Sequence, residues 1–428
     1  LEVLGALAGR EDTVRIVDLI LEKEPVDFFI REFKPDVFCI TGYITHIPVM
    51  IEYARKAKEI LHDIITISGG VHVEKFPEDI DSPYIDYRVV RNATRSFPQL
   101  LQYLKHGGTI PPGILCCGET IKDRPLPDYD FYFPFPKREL TQQYRKNYFY
   151  VFQDKVALMK TSFGCPYKCN FCFCRFITND NYYARPMEDV IEELRMIKEK
   201  EVYIVDDDFL LSPKRVEQFI ELLKKFDIRK KFLVYGRSDF IIENPEIIKA
   251  FHAVGLRTVI VGLESFKNKD LDAFNKKTNR SINEEALRIL NKNGVDCYAA
   301  IITSPDWTEE DFKIAGDKML QLGLKFVNLQ PLTPLKGIEL AIPDTSLVIS
   351  RKDYPLWDLA HVSVRPLHMT VAQYYRNILK LYDRITFNPG TVFKLLFRYP
   401  LYMQWRLSKG LFRVRKQYKK MIKEFSHV

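Results

Sequence analysis

The stretch Thr161-Ser162-Phe163-Gly164-Cys165-Pro166-Tyr167-Lys168-Cys169-Asn170-Phe171-Cys172 directly follows the apolar segment Val156–Lys160. Its cysteines are separated by three and by two residues, so a single loop can bring three sulfurs to one place. Gly164 and Pro166 suit the tight backbone of such a loop. Thiolates are the usual ligands of iron–sulfur clusters, and three of them leave one iron of a four-iron cluster open. We therefore predict a [4Fe-4S] cluster held by Cys165, Cys169 and Cys172.

The alternative is a structural zinc site that adds Cys174 to the same three cysteines. Zinc sites usually pair cysteines at two separate places in the chain, a spacing that this sequence lacks. We interpret Cys174 as a neighbouring thiol rather than a fourth ligand. Four further cysteines are interpreted as small packing residues: Cys39, Cys116, Cys117 and Cys297. Since Leu1–Arg10 has no secretory pattern, the clustered cysteines favour metal binding over disulfides and a reducing, cytoplasmic location.

Apolar, strand-like stretches alternate with amphipathic, helix-like stretches from Val156 onwards. The predicted strands are Val156–Lys160, Glu201–Val205, Lys231–Tyr235, Thr258–Val261, Asp296–Ile302 and Phe326–Leu329. The predicted helices are Glu188–Lys198, Pro213–Lys225, Pro245–Val254, Asn283–Asn293 and Glu309–Leu322. Six such units predict a partial (β/α)6 barrel of TIM type, with its catalytic groups at the carboxyl ends of the strands.

Residues 1–110 show the same alternation. The predicted strands are Arg15–Leu21, Asp36–Thr41, Ile64–Ser68 and Tyr84–Val90, and the predicted helices are Val26–Phe33, Pro48–Leu61 and Phe97–Leu104. This pattern predicts a parallel α/β sheet of the doubly wound, Rossmann-like type. Ligands of such sheets bind beyond the carboxyl ends of the strands, where Thr41–His46 and Gly69–His72 lie.

We divide the chain into four parts on this basis. They are an N-terminal domain at 1–125, a proline-rich and aromatic linker at 126–150, the barrel at 151–340 and a mostly helical region with a basic tail at 341–428.

The cysteine segment Cys165–Cys172 is similar to the motif of radical S-adenosylmethionine (SAM) enzymes. The resemblance implies that the open iron chelates SAM, which is then cleaved to a deoxyadenosyl radical that abstracts hydrogen from an unactivated carbon. It also implies that Asp206 and Asp207 contact the SAM ammonium, that Arg237 and Ser238 reach its carboxylate or ribose, and that Glu264 meets the ribose hydroxyls. The alternative for each of these polar groups is a solvated strand end or a helix cap.

The first domain resembles the cobalamin-binding domain of one radical SAM subclass, through Phe33–Tyr43 and Ile67–His72. The resemblance implies cobalamin contacts from Thr41, Gly42, Tyr43, Gly69, Gly70 and His72. Glycines there let the backbone approach a flat macrocycle closely. Relatives carry Gly-Glu-Gly-Glu after the last strand, where this chain has Arg91–Arg95. A lid that binds no cobalamin is the alternative for this domain.

Within that subclass the chain is most similar to hopanoid C-3 methylases. The likeness includes Arg138–Tyr148, Arg237–Asp239, Gly262–Glu264 and Leu332–Gly337. It implies methylation of an unactivated carbon in a lipid-like, terpenoid-like or other small molecule, with an electron donor such as ferredoxin or flavodoxin. Two alternatives are cobalamin-assisted oxidation or ring formation without methyl transfer, and a cobalamin-binding protein without catalysis.

The net charge of +8 is concentrated at the C-terminal end, where residues 393–428 contribute +9. Ten basic residues there alternate with aromatic and aliphatic ones. A basic amphipathic helix can lie on an anionic membrane, which would suit a lipid substrate. The alternatives are a terminal helix packed on the barrel with a solvated basic face, and a nucleic-acid contact. We do not expect nucleic acid, because no recognition module accompanies the charge.

Overall fold

The computed structural model describes residues 1–124, 126–150 and 153–426, without the side chains of Lys394, Leu395 and Arg398. Pro125, assigned above to the domain boundary, and the basic side chains of Lys394 and Arg398 therefore lie outside the described part. The chain divides into two compact units. The first comprises residues 1–147 and 351–358, and the second comprises residues 148–350 and 359–428.

The first unit is built on a four-stranded sheet in the order β1-β2-β3-β4. Its strands are β1 (Val37–Thr41), β2 (Ile65–Gly69), β3 (Tyr87–Val89) and β4 (Ile114–Cys116). The first three strands are parallel, as predicted, and β4 is antiparallel to β3. Its helices are α1 (Glu2–Gly5), α2 (Val26–Phe33), α3 (Ile47–Ile60), α4 (Val71–Lys75) and α5 (Ala93–His106). The predicted α/β fold of this region is confirmed.

The strand predicted at Arg15–Leu21 is wrong, because these residues form no strand. The Arg15 guanidinium instead lies over the rings of Phe29 and Phe33 and pairs with Glu32 at 2.8 Å. Ile16 is buried. The apolar alternation of this segment therefore reflects packing rather than participation in a sheet.

The second unit contains a six-stranded parallel sheet in the order β14-β13-β12-β11-β10-β7. The strands of this unit are β5 (Phe149–Tyr150), β6 (Gln153–Asp154), β7 (Val156–Met159), β8 (Ser162–Phe163), β9 (Tyr183–Ala184), β10 (Glu201–Ile204), β11 (Lys231–Gly236), β12 (Leu256–Glu264), β13 (Asp296–Thr303) and β14 (Phe326–Pro331). All six predicted barrel strands are present, and the partial barrel is confirmed.

The helices of the sheet region follow the predicted alternation. They are α6 (Cys174–Thr178), α7 (Met187–Met196), α8 (Pro213–Lys225), α9 (Ser238–Glu243), α10 (Pro245–Val254), α11 (Asn268–Ala273), α12 (Arg280–Lys292) and α13 (Glu309–Gln321). Helix α8 illustrates why the predictions succeed: Ser212 caps its start by accepting from Arg215 N, and Pro213 occupies the first turn. Its buried residues Val216, Phe219, Ile220 and Leu223 follow helical spacing.

The C-terminal region was predicted to be mostly helical from residue 341, but among its described residues α-helices lie only between Val371 and Glu424. It contains α14 (Val371–Thr386), α15 (Pro389–Arg398) and α16 (Leu401–Glu424). The ring of Tyr418 on α16 packs against Tyr375 and Tyr382 on α14, at centroid distances of 6.0 and 5.9 Å. Among the described residues, no helix is both long and apolar enough to cross a bilayer.

Candidate functional site

The cysteine loop leaves the sheet at the carboxyl end of β7 and begins with the short strand β8, which pairs antiparallel with β9. Gly164 has a φ of +79°, and a Cβ at this position would lie 2.0 Å from the carbonyl oxygen of Asn181. Only glycine therefore fits immediately before the first cysteine. Cys169 is buried, whereas Cys165 and Cys172 are partly exposed, and all three thiols are free.

The far side of the loop is attached to residues 273–275, at the C-terminal end of α11. Asn170 donates through its Nδ2 to the Ala273 carbonyl at 2.8 Å, and Asn275 donates to the Lys168 carbonyl at 2.6 Å. The rings of Phe171 and Phe274 meet edge to face at 5.3 Å. These contacts fix the backbone on both sides of Cys169.

The four thiols of the loop region differ in their environments. Burial raises the pKa of Cys165 to about 12 and also raises the pKa of Cys169. Cys174 donates hydrogen bonds to the Cys172 sulfur from its thiol and from its backbone N–H at 3.4 Å, and they lower the pKa of Cys172. Within the described ranges, no three His, Cys, Asp or Glu side chains gather around a single-ion position. Thiolate sulfurs in one loop are nevertheless the donor set that an iron–sulfur cluster requires.

Asp206 and Asp207 both bind the cysteine loop. The buried Asp206 carboxylate accepts hydrogen bonds from Thr161 N at 2.6 Å, from the Thr161 hydroxyl and from the Ser162 hydroxyl at 2.8 Å. Asp207 accepts from Gly164 N at 2.9 Å and lies 3.6 Å from Lys160 Nζ. Both carboxylates therefore hold the start of the loop on the end of β10.

Asp208 is a functional candidate that was not among the residues predicted from the sequence. It is 3% exposed, and neither of its carboxylate oxygens has a hydrogen-bond partner among the described residues. Burial raises its pKa to about 7, against the opposing effect of the positive charges of Arg237 and Lys276. The sequence signal that could have indicated Asp208 is the run of three aspartates after β10. Asp206 and Asp207 bind the cysteine loop, which leaves the third carboxylate without a partner.

Arg237 is fully engaged by its neighbours at the end of β11. Its guanidinium donates to both carboxylate oxygens of Asp239, at 2.7 to 3.1 Å, and to the Lys276 carbonyl at 3.0 Å. It also lies 3.7 Å from the ring centroid of Tyr167, in the cysteine loop. The adjacent Ser238 is buried and donates to Asn283 Oδ1 at 2.7 Å.

Glu264 forms a buried ion pair with Lys276, whose Nζ donates to Glu264 Oε1 at 2.9 Å. The backbone of Glu264 has a φ of +58°, and the pairing register with β13 shifts between Gly262 and Glu264. A Cβ on Gly262 would lie 2.3 Å from Glu264 Oε1 and 2.9 Å from Lys276 Nζ. Lys276 lies in a loop outside every motif, so no sequence pattern indicated it.

The cobalamin candidates of the first unit lie at the carboxyl ends of β1 and β2. Thr41 and Gly69 are direct partners in the sheet. Gly70 has a φ of +108°, and a Cβ on it would lie 2.6 Å from Thr41 Oγ1. Tyr43 is exposed, and Gly42 packs closely against His46. The two loops therefore present an edge with little side-chain bulk, which fits the approach of a flat macrocycle.

His72 and Ser68 are the buried polar groups beside this edge. His72 Nε2 lies 2.9 Å from Asp79 Oδ2, and the His72 ring packs against Phe76 and Tyr354. Ser68 Oγ is buried and has no hydrogen-bond partner in the described structure. His72 is thus held by the protein, whereas Ser68 offers an unpaired hydroxyl one residue before Gly69.

The departure at Arg91–Arg95 attaches residues 127–132 to the start of α5. Arg91 lies 3.9 Å from the ring centroid of Tyr129, and Arg95 lies at the same distance from that of Tyr132. Asn92 donates to the Asp128 carbonyl at 2.7 Å. These residues therefore organise residues 127–132 of the linker segment.

The structure thus brings the barrel candidates together at the carboxyl ends of β7, β10, β11 and β12. Residues 159–318, which include all of them, match the Radical SAM superfamily, and residues 2–101 match the B12 binding domain. The chain belongs to the cobalamin-binding radical SAM enzymes. The expected cofactors, a [4Fe-4S] cluster, SAM and cobalamin, agree with this pair of domains.

Curated relatives of this radical SAM enzyme include the hopanoid C-3 methylase of Methylococcus capsulatus. It is 27% identical over 86% of this chain and 72% of its own length. The anaerobic magnesium-protoporphyrin IX monomethyl ester cyclase of Rubrivivax gelatinosus is 25% identical over 72% of this chain and 60% of its own length. The structure of the radical SAM methyltransferase TsrM from Kitasatospora setae, with cobalamin and a [4Fe-4S] cluster bound, covers 98% of this chain and 96% of its own, with a TM-score of 0.66 and 15% identity. This structural likeness extends over both domains of the fold.

Proposed function

We propose that this enzyme methylates an unactivated carbon of a small molecule of lipid or terpenoid type. The observation that carries the proposal is the three-cysteine loop beside the buried, unpartnered carboxylate of Asp208, in a chain that also has a B12-binding domain. The hopanoid C-3 methylase and a hopanoid C-2 methylase of Rhodopseudomonas palustris, 27% identical over 86% of this chain, support the choice of substrate class.

Cys165, Cys169 and Cys172 are the proposed ligands of the cluster. When bound, the cluster supplies the electron that cleaves SAM to a deoxyadenosyl radical, and cobalamin supplies the transferred methyl group. Asp206 and Asp207 act as positioning residues, because their carboxylates are occupied by hydrogen bonds from Thr161, Ser162 and Gly164. They hold the loop that carries the ligands.

Asp208 is the proposed acceptor for the SAM ammonium. A buried carboxylate without partners gains a charge-assisted hydrogen bond when a cationic amine arrives. This assignment moves the role that the resemblance gave to Asp206 and Asp207 by one residue, because Asp208 has the free oxygens.

The other SAM candidates divide into positioning and contact roles. Arg237 and Ser238 position the site, since Arg237 supports Tyr167 and Ser238 fixes Asn283. Glu264, oriented by Lys276, is the proposed acceptor for the ribose hydroxyls. In the first unit, Thr41, Gly42, Tyr43, Gly69 and Gly70 are the proposed cobalamin contacts, with Ser68 as an additional hydroxyl. His72 supports their loop through Asp79.

A reduced ferredoxin or flavodoxin is the proposed electron donor, and a reducing cytoplasm the proposed location, because the proposed cluster needs electrons and free thiols. The second candidate function is radical ring formation without methyl transfer, which the similarity to the magnesium-protoporphyrin cyclase favours. The two functions differ in what becomes of the methyl group of SAM.

Product analysis separates these functions. The anaerobically reconstituted enzyme is incubated with SAM, reductant and a lipid extract of the source organism, and its products are measured by mass spectrometry. Joint formation of deoxyadenosine, S-adenosylhomocysteine and a product heavier by one methylene supports methylation. Deoxyadenosine alone indicates the ring-forming reaction, and neither nucleoside indicates a cobalamin-binding protein without catalysis. Cys172→Ser should abolish deoxyadenosine formation, whereas Cys297→Ser, at a cysteine on β13 away from the loop, is the matched control.

A further inference from the structure

Large apolar side chains are exposed at the end of α15 and along the first half of α16. Phe397 is 77% exposed, Leu401 81%, Trp405 67% and Phe412 69%. An aromatic cluster of this kind on a protein surface marks a site of interaction rather than ordinary surface composition.

The outward face of α16 changes character along its length. Met403, Tyr418 and Met421 are buried and lie on the inward side of the helix. At 3.6 residues per turn, positions 401, 405 and 412 share the opposite face with positions 416, 419 and 423. The first three are Leu, Trp and Phe, and the last three are exposed lysines. One helix face therefore presents an apolar half followed by a basic half, which we call the α16 outer face.

Two arginines on the other sides of α16 are held by ion pairs with other parts of the second unit. Arg406 pairs with Asp154 at 2.7 Å, and Arg415 pairs with Asp383 at 3.0 Å. In contrast, Lys416, Lys419 and Lys423 have no acidic partner among the described residues. Their charges therefore remain available for an external anion surface.

We propose that the α16 outer face binds the surface of an anionic lipid bilayer. Tryptophan and phenylalanine gain free energy at the boundary between headgroups and acyl chains, and lysines beside them are attracted by anionic headgroups. The order of the two halves fits a helix that inserts its Leu401–Phe412 side chains and lays Lys416–Lys423 along the headgroups. The proposal goes beyond the proposed reaction and does not depend on it.

Vesicle flotation tests the charge and the apolar half separately. The reconstituted full-length protein is mixed with vesicles of phosphatidylcholine alone or with 30% phosphatidylglycerol, a composition chosen to be about as anionic as a cytoplasmic leaflet. We expect binding to the anionic vesicles only. The triple variant Lys416→Gln, Lys419→Gln, Lys423→Gln should weaken binding about 100-fold, since each lysine near an anionic surface contributes about fivefold. Leu401→Ser with Phe412→Ser, which removes two side chains of the apolar half, should weaken it about tenfold or more.

Matched controls lie elsewhere on the second unit. Lys198→Gln, Lys224→Gln and Lys249→Gln remove the same charge from exposed positions on or beside other helices, and Leu367→Ser removes an exposed apolar side chain. These variants should float as the parent does. A loss of binding equal to that of the α16 variants would show that net charge alone drives association and would overturn the proposal.

Trp405 provides a local probe, because Trp307 and Trp357 are buried. Its emission should shift to the blue on addition of anionic vesicles and should be quenched by brominated acyl chains. Three results would overturn the proposal: no binding, equal binding to neutral vesicles, or a blue shift that depends on protein concentration without vesicles and so indicates a second copy. Failure here leaves deoxyadenosine formation intact, whereas failure of the proposed function leaves flotation intact.

Discussion

The guanidinium of Arg237 lies 3.7 Å from the centre of the Tyr167 ring, and this contact joins the end of β11 to the middle of the cysteine loop. Asp239 and the Lys276 carbonyl fix the same guanidinium from its other sides. Tyr167 lies between Cys165 and Cys169, whose sulfurs must point toward the same cluster. Its ring therefore fixes the loop backbone between these two proposed ligands. The stack thus connects the sheet to the geometry of the proposed cluster.

Tyr167→Leu should therefore impair assembly of the cluster. Loss of a largely desolvated cation–π contact costs about 1–2 kcal/mol and frees the loop from β11. We expect iron and sulfide per chain to fall by about half or more after anaerobic reconstitution, at an unchanged fold by circular dichroism. Tyr167→Phe keeps the ring and should load normally. Equal losses in both variants would mean that the phenol, and not the stack, matters.

Asp206 and Asp208 should respond differently to the same substitution by asparagine, one through the cluster content and the other through the affinity for SAM. Asp206→Asn places an amide against the hydroxyl and N–H donors of Thr161, at a cost of about 1–3 kcal/mol, and should lower cluster content. Asp208→Asn disturbs no hydrogen bond and should keep the cluster, while SAM affinity falls about 10- to 100-fold in equilibrium dialysis. If Asp208→Asn bound SAM normally, the ammonium site would lie elsewhere.

The pH dependence of stability provides a second test of Asp208. Its pKa is raised to about 7 by burial, above the value of about 3.9 in an unfolded chain. Between these values the folded state holds the proton and the unfolded state does not, so this group contributes stability at low pH that is lost as pH rises through 7. The melting temperature of Asp208→Asn, measured without SAM, should therefore exceed that of the parent by more at pH 8 than at pH 5. If the difference in melting temperature between Asp208→Asn and the parent were equal at pH 5 and pH 8, the pKa of Asp208 would not be raised by burial.

Much of this architecture is predictable from the sequence because local and global signals agree. Pro213–Lys225 and Pro245–Val254 are helices with the bounds that their apolar spacing predicts, and the barrel strands coincide with continuous apolar runs. Arg15–Leu21 has the alternation of a strand but forms none, because apolar periodicity reports burial and not hydrogen-bonded neighbours. Pairing is a tertiary property that one segment does not encode.

The site was predictable at the level of motifs but not of individual contacts. The spacing of Cys165, Cys169 and Cys172 identified the loop, since ligand spacing is local. Lys276 was missed because its partner Glu264 is twelve residues away in the chain. The sequence placed three aspartates after β10, but only the fold determines which carboxylate meets the loop and which is left without a partner.

Gly262→Ala should disrupt the buried pair of Glu264 and Lys276. The new methyl would overlap Glu264 Oε1 at 2.3 Å, so the carboxylate must move away from the ammonium. Separating a buried pair costs about 3 kcal/mol or more, and we expect a melting temperature several degrees lower together with weaker SAM binding. Gly410→Ala is the matched control, since a Cβ there meets nothing within 4 Å on helix α16. It should stabilise the protein by up to about 1 kcal/mol. Unchanged SAM binding in Gly262→Ala would show that the Glu264–Lys276 ion pair does not contribute to the SAM site.

Tyr129→Ala should release the linker segment from the first unit. Its ring lies under Arg91, and its hydroxyl accepts from Lys75 at 2.5 Å and donates to Glu74 at 3.0 Å. One substitution removes these contacts together with the stack on Phe131 at 5.8 Å. We expect limited proteolysis between residues 126 and 134 to accelerate about tenfold, because cleavage follows the population of the detached segment. Tyr132→Ala removes only the more exposed stack on Arg95 and should accelerate cleavage much less, since exposed contacts of this kind contribute about 0.5–1 kcal/mol. Both variants are then purified anaerobically and their cobalamin absorbance is measured. A lower cobalamin content in Tyr129→Ala would show that the attachment of the linker to Arg91–Arg95 supports cobalamin binding. Equal cleavage rates for the two variants would show that Tyr129 does not hold this segment.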